Sequence, residues 1–82
     1  MDLYTEIKQM IVKGFALDGQ KVVPEAHLED DLGGDSLAMM NLAEAIAMRY
    51  GIEVKIDDLG DIGTVAELVK WVELKISPTH SA

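Results

Sequence analysis

The chain has 82 residues, 49% hydrophobic and 27% charged, with no cysteine. It is one domain of soluble type without disulfides or thiolate metal sites, and no stretch reaches the roughly 20 apolar residues that span a bilayer. A net charge of −8, from 15 acidic and 7 basic residues, repels phosphate backbones, so nucleic acid is not an expected partner; a basic patch on another protein is.

In chain order, residues 3–15 read as a helix, with Leu3, Ile7, Met10 and Ile11 at helical spacing. Gly14 is expected to help end it. Residues 16–35 show no sustained period and contain Gly19, Pro24, Gly33 and Gly34. A connection of about 20 residues is long for a small domain and is usually functional or held by its own side chains; Val22, Val23 and Leu28 are candidates for holding it. Residues 36–50 read as a second helix, capped by Asp35 or Ser36 and followed by Gly51. Ile52–Ile56 reads as an extended connector, and Asp57–Asp61 as one short helical turn. The last helix spans 64–76, opened by Thr64 with Glu67 three residues on, and carries the stripe Val65, Leu68, Val69, Val72, Ile76. Residues 77–82 read as a disordered tail after a domain spanning 1–76. The expected fold is all-α: a small four-helix bundle, three helices long and one short, with a long first loop.

The second helix is apolar on two sides. Met39, Leu42, Ala43, Ile46 and Tyr50, spaced i, i+3, i+4, i+7, i+11, would satisfy a core alone. A second stripe runs through Leu37, Met40, Asn41, Glu44, Ala47 and Met48. It is either core filler beneath the long loop or an exposed face for a partner, for which flexible methionines are suited. Acidic residues bracket the helix, Glu29, Asp30, Asp31 and Asp35 before it and Glu53, Asp57, Asp58 and Asp61 after it. A partner with an apolar groove and a basic rim would fit such a face.

Ser36 stands where the loop meets this helix. A hydroxyl at a helix N-terminus lies beside free N–H groups that favour an anion, so a phosphate ester there is tolerated; serine is also a common cap.

Leu32-Gly33-Gly34-Asp35-Ser36-Leu37 resembles the attachment motif of the acyl carrier protein family, which includes the peptidyl carriers of nonribosomal synthesis. The resemblance covers nearly the whole chain, from the first helix through the long loop to the entry of the last helix at Ile62-Gly63-Thr64-Val65. It implies a carrier, not an enzyme. A phosphopantetheinyl transferase would use Mg²⁺ and coenzyme A, Ser36 Oγ would attack the cofactor's β-phosphorus, and Ser36 would then hold 4′-phosphopantetheine by a phosphodiester. The terminal thiol would carry acyl groups as thioesters for fatty acid, polyketide or related biosynthesis. Asp35 and Leu37 match motif residues read by the transferase. Leu37, Met40, Asn41, Glu44, Ala47 and Met48 fall on the side that faces partner enzymes, and Met39, Leu42, Ala43 and Ile46 on the side that can open around an acyl chain. The resemblance further implies a cytoplasmic monomer without membrane insertion. Met1 and the short tail point to a free-standing protein.

The chain departs from the fatty-acid type of this family. Asn41 stands where an acidic residue is usual, the second helix is poor in Asp and Glu, and Lys55 replaces a common connector proline. Partner contacts should therefore lean on apolar packing, which points to a specialised carrier. Two readings from other classes compete. Gly34-Asp35-Ser36-Leu37 also spells the nucleophile block of GDSL esterases, but neither His27 nor His80 follows an aspartate by three residues as that chemistry requires. A helical interaction module with an unmodified Ser36 is the other. His27 and His80 form no metal constellation, and Asp30-Asp31 and Asp57-Asp58 sit in no EF-hand pattern.

Overall fold

The first helix begins where a short carboxylate can satisfy a free backbone donor. In the computed structural model, which describes residues 2–76, Asp2 Oδ1 accepts from the Thr5 N–H at 3.1 Å, and α1 runs Leu3–Phe15. Its bounds are those the spacing predicts, with Gly14 in the last turn. Ala16 closes it in the left-handed region at φ 56°, its N–H donating to Val12 O. Phe15 packs on the core cluster.

The long loop is ordered by side chains it buries itself. Val22 and Leu28 are fully buried, as expected, but Val23 is 40% exposed; Ala26 and Leu32 complete the set instead. A single 3₁₀ turn, Gly19–Lys21, interrupts the loop. Its cap is Asp18, whose Oδ1 accepts from Gln20 N at 3.0 Å. Tyr4 Oη donates to Val22 O at 3.2 Å and ties the loop to α1. Fully burying one such aliphatic side chain contributes about 1.5–3 kcal/mol, enough to offset the ordering of one or two loop residues.

α2 spans Ser36–Tyr50 and ends at Gly51. The extended connector leads into α3, Ile56–Gly60, one residue earlier than the sequence pattern indicates. Its first turn is held by Asp58, which accepts from Lys55 N–H at 3.1 Å, and Leu59 enters the core. α4 spans Val65–Ile76. The expected capping pair at its start is present: Glu67 N–H donates to Thr64 Oγ1 at 3.2 Å, while Glu67 Oε1 accepts from Gly63 N at 2.8 Å and Thr64 N at 3.2 Å. Val65, Leu68 and Val72 are buried, Val69 half-buried, and Ile76 exposed, because the helix outruns the core at its last turn. The expected tail, 77–82, lies outside the described residues.

The assembled fold is the all-α bundle of three long helices and one short one, with no strand among the described residues. The nearest approach to a strand is a single antiparallel bridge, His27 to Thr64. α1 packs on α2 and α4, and α3 on α2. A polar tie spans α1 and α2: Tyr50 Oη donates to Glu6 Oε1 at 2.7 Å, and Arg49 Nη2 lies 3.4 Å from Glu6 Oε2.

These ties make stability depend on pH at both ends. The Gly63 and Thr64 N–H groups hold Glu67 below the ordinary 4.5, and the Tyr50 hydroxyl, with Arg49, holds Glu6 below it. A depressed carboxylate stabilises the fold above its unfolded value and loses that contribution as pH falls through the folded value. Acid softening therefore sets in below pH 4.5. Burial and Glu6 push Tyr50 from 10.0 up to about 12. A raised phenol stabilises below its unfolded value, so a second loss runs upward between those two values. Thermal melts across pH should show Glu67→Gln with a flatter acid limb and Tyr50→Phe with a flatter alkaline one.

Candidate functional site

The segment before α2 is built as a series of backbone closures. Asp31 N and Leu32 N both donate to His27 O at 3.0 Å, Gly33 N to Glu29 O at 3.1 Å, and Gly34 N to Leu28 O at 2.8 Å. Asp31 Oδ2 accepts from His27 N at 2.8 Å. The loop is pinned in turn to the start of α4: Leu28 N donates to Gly63 O at 2.9 Å, Val65 N to Ala26 O and Ala66 N to Pro24 O, both at 3.0 Å. Loop carbonyls thereby satisfy donors that a helix start leaves free. No sequence motif announces this union.

Two adjacent glycines serve different ends. Gly33 has φ +70° in open space, a backbone conformation that side-chain-bearing residues adopt at a cost. Gly34 is a close approach: a Cβ there would stand 2.7 Å from Leu28 O, 2.8 Å from Phe15 Cε2 and 3.0 Å from Met39 Sδ. Backbone from the loop, a ring from α1 and a side chain from α2 converge on the residue two before Ser36, which fixes where α2 begins.

Of the two cap candidates, Asp35 takes the role. It sits in extended conformation and its Oδ1 accepts from Ala38 N at 2.9 Å. Ser36 is the first helical residue, exposed, and its Oγ forms no hydrogen bond among the described residues. The hydroxyl is therefore free, beside the uncapped N–H groups of the helix start. These features fit a phosphodiester: an open oxygen, nearby donors, the favourable end of the helix dipole, and an aspartate engaged by Ala38. No histidine bonds Ser36 Oγ among the described residues, and the helical fold has no place for the strand-borne nucleophile of an esterase.

The two faces of α2 separate cleanly. Ala38, Met39, Leu42, Ala43 and Ile46 are buried and Tyr50 half-buried. Leu37 is 66% exposed, Met40 54% and Met48 79%; Asn41 and Glu44 are exposed and Ala47 half-buried. The second stripe is not core filler: its large apolar side chains stand exposed while the opposite stripe is buried. A groove of about 390 Å³ runs along this face, lined by Met40, Asn41, Ala43, Glu44, Ala47, Val54 and Ile56. Val54 and Ile56 were not singled out by spacing as site residues; the signal was the alternation Ile52, Val54, Ile56 in the connector. Close to the helix start, Gly14, Phe15, Ala16, Gly33, Asp35, Leu37, Ala38 and Asn41 line a second, smaller hollow of about 240 Å³.

Seven of the eight acidic residues that bracket α2 are exposed and Asp58 is half-buried. Among the described residues no group of three or more His, Asp or Glu is close enough to hold a metal ion, and no helix is long and apolar enough to cross a membrane.

Residues 5–72 match the family described as "Phosphopantetheine attachment site", a span that includes the loop, Ser36 and all of α2. The chain is 33% identical over 75 residues to an acyl carrier protein of Thermotoga maritima, covering 92% of this chain and 93% of that protein.

Proposed function

The chain belongs to the phosphopantetheine-binding acyl carrier protein family, and from that premise we propose that Ser36 is its attachment residue and the exposed face of α2 its docking surface for the enzymes that load and process cargo. Members of this family carry and do not catalyse; their cofactor is covalent 4′-phosphopantetheine. When bound, that group supplies a terminal thiol for thioester linkage, which a chain without cysteine otherwise lacks. The chain's own residues do the rest. Gly33 and Gly34 set the turn, Asp35 caps α2 and leaves the neighbouring hydroxyl free, and Ser36 presents that hydroxyl to solvent. The free hydroxyl at the mouth of α2 is the observation that carries this reading.

Asp35 and Leu37 flank the hydroxyl and are proposed as residues read by the phosphopantetheinyl transferase. Met40, Asn41, Glu44, Ala47 and Met48 continue the surface on which the transferase docks and extend it toward acyl-loading and acyl-processing partners with apolar grooves and basic rims. With Glu44 the lone acid on that face, docking rests on apolar packing more than on ion pairs, so we assign the protein to specialised acyl transfer, fatty acid or polyketide in type, with an aminoacyl or peptidyl cargo as the alternative. The carrier domain is taken as residues 1–76, working as a cytoplasmic monomer.

Intact-mass measurement tests the reading. After incubation with coenzyme A, Mg²⁺ and a broad-specificity transferase, the protein should gain one phosphopantetheine, mapped by fragmentation to Ser36. Leu37→Ala should retain the gain but slow it about tenfold, the effect of losing roughly 1.4 kcal/mol of apolar contact in the encounter. No gain in the unaltered protein would refute the assignment.

A further inference from the structure

Ser36, Met40, Glu44 and Met48 follow one another at intervals of four residues, so they form a single ridge along α2, about 18 Å from first to last at 1.5 Å per residue. Two of the four are thioethers open to solvent, Met48 at 79% exposure and Met40 at 54%. The methionine next in sequence, Met39, is 5% exposed and packed in the core, and Met10 is half-buried against it. Solvent access therefore divides the described methionines by position: those on the proposed docking ridge are reachable by a small oxidant, Met39 is shielded by the core it supports, and half-buried Met10 falls between.

We infer that Met40 and Met48 are a peroxide-sensitive modification site whose oxidation weakens docking at α2 without unfolding the bundle. The inference rests on the reading of α2 as the docking surface. The chemistry needs only a peroxide from solution. The sulfur lone pair takes the terminal oxygen, an S–O bond forms, the O–O bond breaks, and the leaving oxygen departs as water. Sulfur loses two electrons and the peroxide gains them. The product, methionine sulfoxide, is polar and is reversed by methionine sulfoxide reductases. On this ridge the consequence is specific. Docking rests on apolar contact, Glu44 is the one charged group between the two sulfurs, and a sulfoxide placed on either side of it must be desolvated by any apolar groove that covers it. The core is untouched because Met39 is out of reach, so the change falls on recognition and not on folding.

Graded hydrogen peroxide treatment of the purified chain, quenched with catalase, followed by peptide mapping, thermal melting and transferase kinetics, tests this. Met48 and Met40 should oxidise first and Met39 at least about tenfold more slowly. Transferase kcat/KM should fall about fivefold in step with sulfoxide at Met40 and Met48, a loss on the scale of one or two thioether contacts. The melting temperature should hold, and a methionine sulfoxide reductase should restore the rate. The double variant Met40→Leu, Met48→Leu should show a rate, whatever its level, that peroxide does not change. Met39 oxidising as fast as Met48, an unchanged rate with both ridge methionines oxidised, or an equal fractional loss in the double variant would overturn the inference. A chain that accepts no phosphopantetheine before any treatment would overturn the Ser36 reading itself and this inference with it, so the two failures are distinguishable.

Discussion

Ser36→Ala should abolish the gain of phosphopantetheine completely while leaving the melting temperature within experimental spread. Both halves of this expectation come from one division of labour at the start of α2. Had Ser36 been the cap, its removal would cost about 0.5–2 kcal/mol of stability. It is not: Asp35 Oδ1 holds the Ala38 N–H at 2.9 Å, and Ser36 Oγ bonds nothing among the described residues, at an exposed position. Exposed substitutions that break no such contact change stability by about 0.5 kcal/mol or less. Asp35→Ala is the natural contrast. It should lower the melting temperature and retain some modification, because the hydroxyl survives while the helix start loosens. The informative measurements are intact mass and thermal melts on both variants. A Ser36→Ala protein that still gained mass would move the attachment elsewhere, and one that melted far below the parent would return Ser36 to a structural role.

The second large effect is expected at Gly34. Gly34→Ala would place a methyl group 2.7 Å from Leu28 O, 2.8 Å from Phe15 Cε2 and 3.0 Å from Met39 Sδ. The carbonyl cannot retreat without stretching the 2.8 Å bond that the same residue's N–H makes to it. Overpacking of this kind costs about 1–3 kcal/mol and occasionally more. In a domain of this size each kcal/mol is worth about 4–8 °C, so the melting temperature should fall by about 4–24 °C. Gly33→Ala is the control next door. Its Cβ meets nothing within 4 Å, and its cost comes only from φ +70°, about 1–2 kcal/mol. Gly34→Ala should therefore be the worse of the two, and it should also slow modification of Ser36 in the folded fraction, since relieving the clash shifts the start of α2. Equal melting temperatures for the two variants would mean that the convergence at Gly34 relaxes without cost.

Much of this molecule is written in local patterns. Helical spacing locates α1, α2 and α4 because each buries a stripe of its own residues, and short-range polar pairs such as Thr64 with Glu67 need no distant partner to form. The hydroxyl at position 36 could be singled out for the same reason: glycines, aspartate, serine and leucine adjoin one another in sequence. Where the pattern misled, a distant contact had intervened. Val23 turns outward while Ala26 and Leu32 turn in, because the loop is pinned to α4 by backbone bonds that no residue type encodes. The spacing of α2 left its second stripe open between core and surface. Which stripe a helix buries depends on what else fills the interior, and here α1, α4, α3 and the loop all contribute to one core.

The helices, their order and the residue that offers the hydroxyl are legible in local sequence, since each of these depends on neighbours within a few positions. Long-range packing was needed to show that Asp35 and not Ser36 caps α2, that Gly34 is the point where three elements meet, and that Leu37, Met40 and Met48 face solvent. Those are outcomes of competition for a limited interior among segments far apart in the chain, and no single segment carries the result.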